Sequence, residues 1–331
     1  MFILNTNQTR IIKYILVGRD FMRIVFMGTP EFSVNVLEGL LEKYEVVLVV
    51  TQPDKLVGRK QTLEYSPVKK AALLHNLPVF QPKKIKDEYQ AVLDAKPDII
   101  VTAAFGQFIP NVILEYPKYG CINVHGSLLP KYRGGSPIQT AIMNGESETG
   151  ITIMYMASKM DSGDIIAQRS IPILETDDNG SMFEKLSIIG RDLLLEVLPS
   201  IFEETNNRVV QDESKVTYAF NISHEQQFIN WNKSSLEIVN LIRGLSPAPT
   251  ALTSINGVII KIYKAKIVSD EILGKPGEVV KLNKELWVCT GDGVISILEL
   301  QQAGKNKMDG KSFLNGQKIL AINSVLENNI L

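Results

Sequence analysis

Short apolar runs alternate with helical segments through about the first hundred residues, and this alternation constrains the fold more than any other feature of the sequence. The apolar runs predict strands at Ile24–Met27, Glu45–Thr51, Pro78–Phe80 and Asp98–Ala103. The segments between them predict helices near Glu31–Lys43, Val68–His75 and Asp87–Ala95. Strand–helix–strand repeats of this kind predict an α/β fold with a parallel sheet and right-handed crossovers.

The pattern changes after Pro249 to short alternating strands separated by turn residues. These strands are predicted at Leu252–Ile255, Val258–Ala265, Gly277–Leu282, Leu286–Thr290 and Val294–Leu300. Asn256-Gly257 and Asp292-Gly293 are hairpin signals between them. Several short strands in so little sequence predict a small β-barrel. We therefore predict an α/β domain over residues 22–205, a polar linker over 206–224 and a barrel domain over 225–331.

Residues 1–21 precede the first predicted strand, and we treat them as an extension with Met22 as the natural start. The apolar run Ile11–Gly18 is too short to span a bilayer and contains Lys13. No small-residue cleavage site of the kind that a secretory signal requires follows it. The basic residues in this stretch leave open a targeting segment.

Composition excludes few functions but narrows the kind of site. The net charge of the 331 residues is −1, so contact with nucleic-acid phosphates must come from local patches. Cys121 and Cys289 lie far apart and give no metal-binding spacing, which predicts a reducing compartment and no metal site. No membrane-spanning segment is evident, and we expect a cytoplasmic protein.

The strand predicted at Cys121–Val124 is followed by a loop rich in Gly, Ser and Pro. A helix should begin there with Ser136 as its cap and Pro137 at the first helical position. Asn123 and His125 are two residues apart, so they project from one side of the strand at its carboxyl end. Open α/β folds place ligands at that end. On the residues alone, such a pair is more often structural than catalytic.

The run HGSLLPKYRGGSPI over residues 125–138 resembles the signature of the folate-dependent formyltransferases. Two further blocks, Glu148–Met154 and Met160–Ile166, strengthen the resemblance, particularly to the members that act on methionyl-tRNA. The resemblance implies a Rossmann-like catalytic domain followed by an OB-fold-like barrel. It also implies transfer of a formyl group from 10-formyltetrahydrofolate to the methionine of initiator methionyl-tRNA, supporting translation initiation, by a monomer that needs no metal.

The resemblance also assigns roles to residues. It implies that Asn123, His125 and Asp161 are catalytic. It places the folate beside Ser127, Leu128, Leu129 and Pro130, with Phe105 and Gly106 as a further wall of the pocket. In formyl transfer, an amide such as that of Asn123 can donate to the oxygen that gains negative charge, and a histidine can exchange protons. Without the resemblance, Asp161-Ser162-Gly163-Asp164 would indicate only a turn.

Two basic regions are candidates for contact with tRNA. The loop Gln52–Thr62 contains Arg59 and Lys60, and the resemblance aligns it with a segment that reaches the acceptor stem. Spacing alone favours an ordinary solvated loop, and this chain carries fewer charges there than its relatives do. Lys264 and Lys266 alternate on one predicted strand and could follow phosphates, although a solvated strand face would look the same.

Two alternative functions stay open on the sequence. The first is formylation of a nucleotide-linked amino sugar, because enzymes of that kind share much of the first domain. The second is a catalytically inactive RNA-binding protein. Retention of Asn123, His125 and Asp161 together argues against the second alternative.

Overall fold

A computed structural model describes residues 22–58, 61–316 and 319–328. The predictions for residues 1–21, Arg59 and Lys60 lie outside these ranges. The chain forms two compact units, and the division between them falls inside one strand, after Ile122.

The first unit contains the predicted alternation of strands and helices. Its elements are β1 (Arg23–Gly28), α1 (Glu31–Lys43), β2 (Glu45–Val50), β3 (Lys55–Val57), β4 (Thr62–Glu64), α2 (Pro67–Leu74), β5 (Val79–Phe80), α3 (Gln90–Asp94), β6 (Ile99–Ala103), α4 (Asn111–Leu114) and the start of β7 (Cys121–His125). The strands pair in parallel in the order β5-β2-β1-β6. The hydrophobic residues of β6 are fully buried, as expected of a strand covered on both faces.

Two details of the first unit differ from the sequence prediction. Helix α3 begins at Gln90 because the amides of Asp87 and Glu88 both bind the carbonyl of Lys84 and form a separate turn. The predicted loop after β2 contains an antiparallel hairpin of β3 and β4. All six strand residues of this hairpin are exposed, so they lack the alternation of buried and exposed residues that predicts a strand.

The second unit continues the α/β pattern from the end of β7. Its next elements are α5 (Pro137–Met143), β8 (Glu148–Tyr155), β9 (Ile165–Pro172) and α6 (Asn179–Phe202). Strands β7, β8 and β9 are neighbours in that order, and the β8–β9 pair is antiparallel. Helix α6 approaches β7 closely at Gly190, where an added Cβ atom would lie 2.7 Å from Val124 Cγ1.

Three helices of the second unit begin in different ways. The side chains of Asp178 and Ser234 each accept a backbone N–H at the start of α6 and of α7 (Ser235–Leu245), and both helices begin with a capping box. Ser136 precedes α5 and Pro137 is its first residue, as predicted, but the Ser136 side chain makes no capping hydrogen bond. The predicted side-chain cap is therefore wrong. The backbone N–H of Ser136 binds the carbonyl of Ala219, and its ψ of 47° differs from the extended conformation of a usual cap.

An antiparallel half-barrel completes the second unit and confirms the fold class. Its remaining elements are β10 (Ala251–Ile255), β11 (Val258–Ser269), β12 (Val279–Lys281), β13 (Leu286–Cys289), β14 (Val294–Gln302), β15 (Met308–Asp309) and α8 (Gly310–Gly316). The strands pair in the order β10-β11-β14-β13-β12, with β15 on β14. Near the C-terminus, Glu327 bridges to Ser254 of β10 and Val325 bridges to Glu278 beside β12. No pattern in the sequence predicted this closing segment.

Candidate active site

Strand β7 ends at the two polar residues that the sequence singles out. Asn123 is half-buried, and His125 is buried, with 5% of its surface exposed. The His125 ring lies 3.0 Å through Nε2 from the carbonyl oxygen of Tyr132. Because a carbonyl oxygen only accepts hydrogen bonds, Nε2 must carry the proton. Nδ1 then faces Asp161, whose Oδ2 lies 3.8 Å away.

Asp161 is held by its neighbours in a specific orientation. Its Oδ2 accepts a hydrogen bond of 2.8 Å from the backbone N–H of Gly134. Its backbone has a positive φ of 48°. Gly163, two residues later, passes so close to the carbonyl of Tyr155 that a Cβ atom would collide with it. The turn therefore requires glycine at position 163, and it presents the Asp161 carboxylate to His125.

The loop that contacts both side chains is fixed by an extended segment of the chain at residues 217–219. Tyr132 N–H donates to Thr217 Oγ1 at 2.9 Å, and Arg133 N–H donates to the Thr217 carbonyl at 2.9 Å. Ala219 N–H donates back to the Arg133 carbonyl at 2.8 Å. A Cβ atom at Gly134 would lie 2.5 Å from the Ala219 oxygen, so only glycine allows this approach.

Sequence reasoning missed a buried network behind this loop. Gln211 Nε2 donates to the carbonyls of Asp161 and Gly163, both at 2.8 Å. Its Oε1 accepts from Nε and Nη2 of Arg133, at 3.1 and 2.9 Å. Arg133 also pairs with Glu213 at 2.7 Å, and this hydrogen bond lowers the pKa of the Glu213 carboxyl. Gln211 lies in the polar stretch that the sequence suggested was a linker, and its burial has no signal in sequence.

The four residues assigned to folate contact form a loop that is held by hydrogen bonds to the side chains of Thr152 and Gln168. Thr152 Oγ1 donates to the carbonyl of Ser127 and accepts from the N–H of Leu129. Gln168 Nε2 donates to the Leu129 carbonyl at 2.8 Å. Ser127 and Leu129 are buried, whereas Leu128 and Pro130 are half-buried. The latter two are therefore the residues of this loop whose surface is accessible to a ligand.

The other predicted site residues lie in separate places. In the first unit, Phe105 is buried and its carbonyl accepts hydrogen bonds from Thr29 and Gln52, while Gly106 is exposed with a φ of 84°. Lys264 and Lys266 are both exposed on β11. Within the described ranges, no cluster of three or more His, Cys, Asp or Glu residues could hold a metal ion. Nor does any helix in those ranges have the length and apolarity to cross a membrane.

Comparisons with known proteins agree with the motifs. A profile described as formyl transferase matches residues 22–198, and one described as formyl transferase, C-terminal domain, matches residues 221–318. Methionyl-tRNA formyltransferase of Lactiplantibacillus plantarum is 53% identical over 300 residues, which are 88% of this chain and 95% of that protein. The enzyme of the same name from Staphylococcus aureus strain MW2 is 49% identical, over 89% of this chain and 96% of its own.

Solved structures share the fold at lower identity. An N-formyltransferase from Helicobacter canadensis, in complex with folinic acid and dTDP-3-aminofucose, has a TM-score of 0.64 and 24% identity. The match covers 84% of this chain and 99% of that one. HypX from Aquifex aeolicus, in complex with tetrahydrofolic acid, has a TM-score of 0.62 and 18% identity, over 89% of this chain and 47% of that one.

Proposed function

This chain belongs to the methionyl-tRNA formyltransferase family, and we propose that Asn123, His125 and Asp161 carry out its reaction. The reaction is transfer of the formyl group of 10-formyltetrahydrofolate to the α-amino group of methionine on initiator methionyl-tRNA. The observation that supports these three residues most directly is the placement of His125 Nδ1 within 3.8 Å of the Asp161 carboxylate, on the strand that carries Asn123.

The folate supplies the formyl group, and the residues of this chain stabilise charge and move protons. As the amine attacks, negative charge develops on the carbonyl oxygen, and the Asn123 amide can donate a hydrogen bond to it. The amine must lose a proton, and the departing folate nitrogen must gain one. Because Nε2 of His125 is occupied by the Tyr132 carbonyl, Nδ1 is the nitrogen that exchanges protons. Asp161, fixed by the Gly134 N–H, stabilises the ring when it is protonated.

Folate contact is proposed for Leu128 and Pro130, and separately for Phe105 and Gly106. The half-buried side chains of Leu128 and Pro130 offer an apolar surface of the kind that a flat aromatic ring system packs against. Ser127 and Leu129 act indirectly, because they are buried and their hydrogen bonds to Thr152 and Gln168 set the shape of the loop.

Contact with tRNA is proposed for Arg59 and Lys60 in the first unit and for Lys264 and Lys266 in the barrel. Arg59→Ala should lower kcat/KM for methionyl-tRNA and leave folate affinity unchanged, because a phosphate contact contributes only to RNA binding. An unchanged kcat/KM at several salt concentrations would remove Arg59 from the proposal.

We further propose that a monomer acts, because all three proposed catalytic residues come from one chain. We also propose that it acts in the cytoplasm.

Transfer of labelled formyl from 10-formyltetrahydrofolate to initiator and elongator methionyl-tRNA tests the function directly. We expect labelling of the initiator. His125→Ala and Asn123→Ala should each lower kcat by roughly 10²- to 10³-fold, the usual loss when one preorganised donor is removed. His75→Gln is a matched control, because His75 binds Glu38 in the first unit and has no proposed catalytic role. Wild-type turnover by His125→Ala would refute the assignment. Labelling of an amino-sugar nucleotide instead of tRNA would refute the substrate.

A further inference from the structure

Two aromatic side chains are exposed on the segment at residues 217–220. This segment binds the loop at residues 132–134, beside His125 and Asp161 (the catalytic loop). Tyr218 is 53% exposed and Phe220 is 66% exposed. Their rings stack on each other with centroids 5.5 Å apart and planes inclined by 2°. Ala219 between them is buried, so the two rings project to the same side of an extended backbone, away from the protein. A paired, solvent-facing aromatic surface of this kind is a common feature of binding sites.

This aromatic pair lies on a segment that is hydrogen-bonded to the loop beside the proposed catalytic residues. The segment that carries it is hydrogen-bonded to Arg133 on both sides of Tyr218, through the Thr217 carbonyl and the Ala219 N–H. The adjoining residues, Tyr132 and Gly134, are those that bind His125 and Asp161 directly. The backbone that carries the two rings therefore adjoins the loop that contacts both His125 and Asp161.

We propose that Tyr218 and Phe220 form a stacking platform for an unpaired nucleotide base at the 3′ end of the tRNA. This inference rests on the proposed function. The methionine that receives the formyl group is esterified to the terminal nucleotide of an unpaired 3′ end. When the amine reaches His125, the neighbouring bases are therefore held beside the catalytic loop. Unpaired bases bind proteins largely by stacking on aromatic rings, and the two parallel rings already form a stack that a base can extend.

The exposure of the Tyr218 and Phe220 rings has no role in the proposed catalytic mechanism, and a stacking platform accounts for it. Apolar and aromatic contacts distinguish an unpaired end from the charged backbone of a duplex, because every base has an aromatic face. Phosphate contacts by lysine and arginine would supply affinity elsewhere along the tRNA.

The test combines enzyme variants with tRNA that lacks single bases. Kinetics of formyl transfer are measured with intact initiator methionyl-tRNA and with versions in which one unpaired 3′ nucleotide at a time is abasic. Phe220→Leu keeps an apolar side chain but removes the ring, and it should lower kcat/KM for intact tRNA by about tenfold. On the tRNA that lacks the stacked base, the kcat/KM of the wild type should fall by the same factor. Phe220→Leu should not lower kcat/KM on this tRNA any further. Phe220→Trp should retain wild-type activity.

Controls separate this inference from the proposed function. Tyr116→Leu removes a ring that is 44% exposed in the first unit and should leave transfer unchanged. The KM for the folate donor should not change in any of these variants. Full activity of Phe220→Leu would overturn the platform, as expected if the pair instead binds a protein partner. The platform would also be overturned if the loss caused by Phe220→Leu and the loss caused by the missing base multiply when the two changes are combined. Failure of the proposed function is distinguishable, because wild type itself would then transfer no formyl group to any tRNA.

Discussion

Asp161 has a backbone conformation that residues other than glycine rarely adopt, with a φ of 48°. Tyr132, whose carbonyl binds His125, has a φ of 62°. Such residues cost free energy and persist only where surrounding contacts enforce them. Here the enforcing contacts are hydrogen bonds from Gln211 to the carbonyl of Asp161 and from Tyr132 N–H to Thr217. The orientation of the Asp161 carboxylate, which we propose is catalytic, therefore depends on residues outside the proposed catalytic set.

Gln211→Leu tests this dependence at the residue scale. The substitution leaves two carbonyls and the Arg133 guanidinium without their buried partner, and each such loss costs about 1–3 kcal/mol. We expect a lower free energy of unfolding and a fall in kcat of about tenfold or more, since Asp161 can then leave its position facing His125. Denaturant unfolding and single-turnover formyl transfer measure the two effects.

A positioning role and a purely structural role of Gln211 predict different kinetics. If Gln211 positions Asp161, the pH dependence of kcat should change in Gln211→Leu, and the KM for folate should not. The exposed Gln90, which binds Asp94 on helix α3, gives the matched control Gln90→Leu with neither effect expected. Normal kcat in a destabilised Gln211→Leu would show that the network serves stability alone.

At the scale of elements, the alternation of apolar runs and helical segments was enough to predict the parallel strands of the first unit. It could not predict the exposed hairpin of β3 and β4, because all six of its strand residues are exposed and show no apolar alternation. The Ser136 cap failed for a different reason, because a hydrogen bond from its own N–H to Ala219 determines its conformation. The family resemblance assigned roles to Asn123, His125 and Asp161, and these assignments stay predictions, whereas Gln211 was missed because its partners are about 50 and 80 residues away in sequence.

Strand β7 carries a buried thiol that makes the free energy of unfolding depend on pH. Burial raises the pKa of Cys121 from 9.0 to about 12. The unfolded chain therefore loses this proton more readily than the folded chain. The contribution of the protonated Cys121 thiol to the free energy of unfolding is complete below pH 9. It is lost progressively as the pH rises towards 12.

Comparison of the wild type with Cys121→Ala isolates this contribution. The free energy of unfolding of the wild type should fall more steeply above pH 9 than that of the variant, while the two curves run parallel between pH 6 and 8. Cys289, whose pKa is also raised by burial, is present in both proteins and cancels in the difference. Parallel curves up to pH 11 would mean that the Cys121 thiol ionises in the folded protein as readily as in the unfolded chain.

At the scale of the whole molecule, two segments for which the sequence predicted no strand or helix hold other parts of the chain in place. The stretch predicted as a linker, residues 206–224, contains Gln211 together with Thr217 and Ala219, which bind the loop beside His125 and Asp161. Most of this stretch is exposed and its polar composition is typical of a solvated connection, so the burial of Gln211 and Ala219 could not be predicted. The closing segment near the C-terminus bridges to Ser254 on the outer strand β10 and to Glu278 beside the outer strand β12, so it covers part of both outer edges of the half-barrel.

Leu326 is the buried residue of this closing segment, and its truncation tests whether the segment holds the half-barrel together. Leu326 is 3% exposed in the barrel core, and its N–H binds the carbonyl of Gly277 at 2.8 Å. Leu326→Ala should lower the free energy of unfolding by about 2–5 kcal/mol, as expected for a leucine truncated in a packed core. The adjacent Val325 is 48% exposed, so Val325→Ala should change it by less than about 0.5 kcal/mol. Both tryptophans, Trp231 and Trp287, lie in this part of the chain, so their fluorescence during denaturant unfolding reports the change. Equal stability of the two variants would mean that the half-barrel is stable without the closing segment.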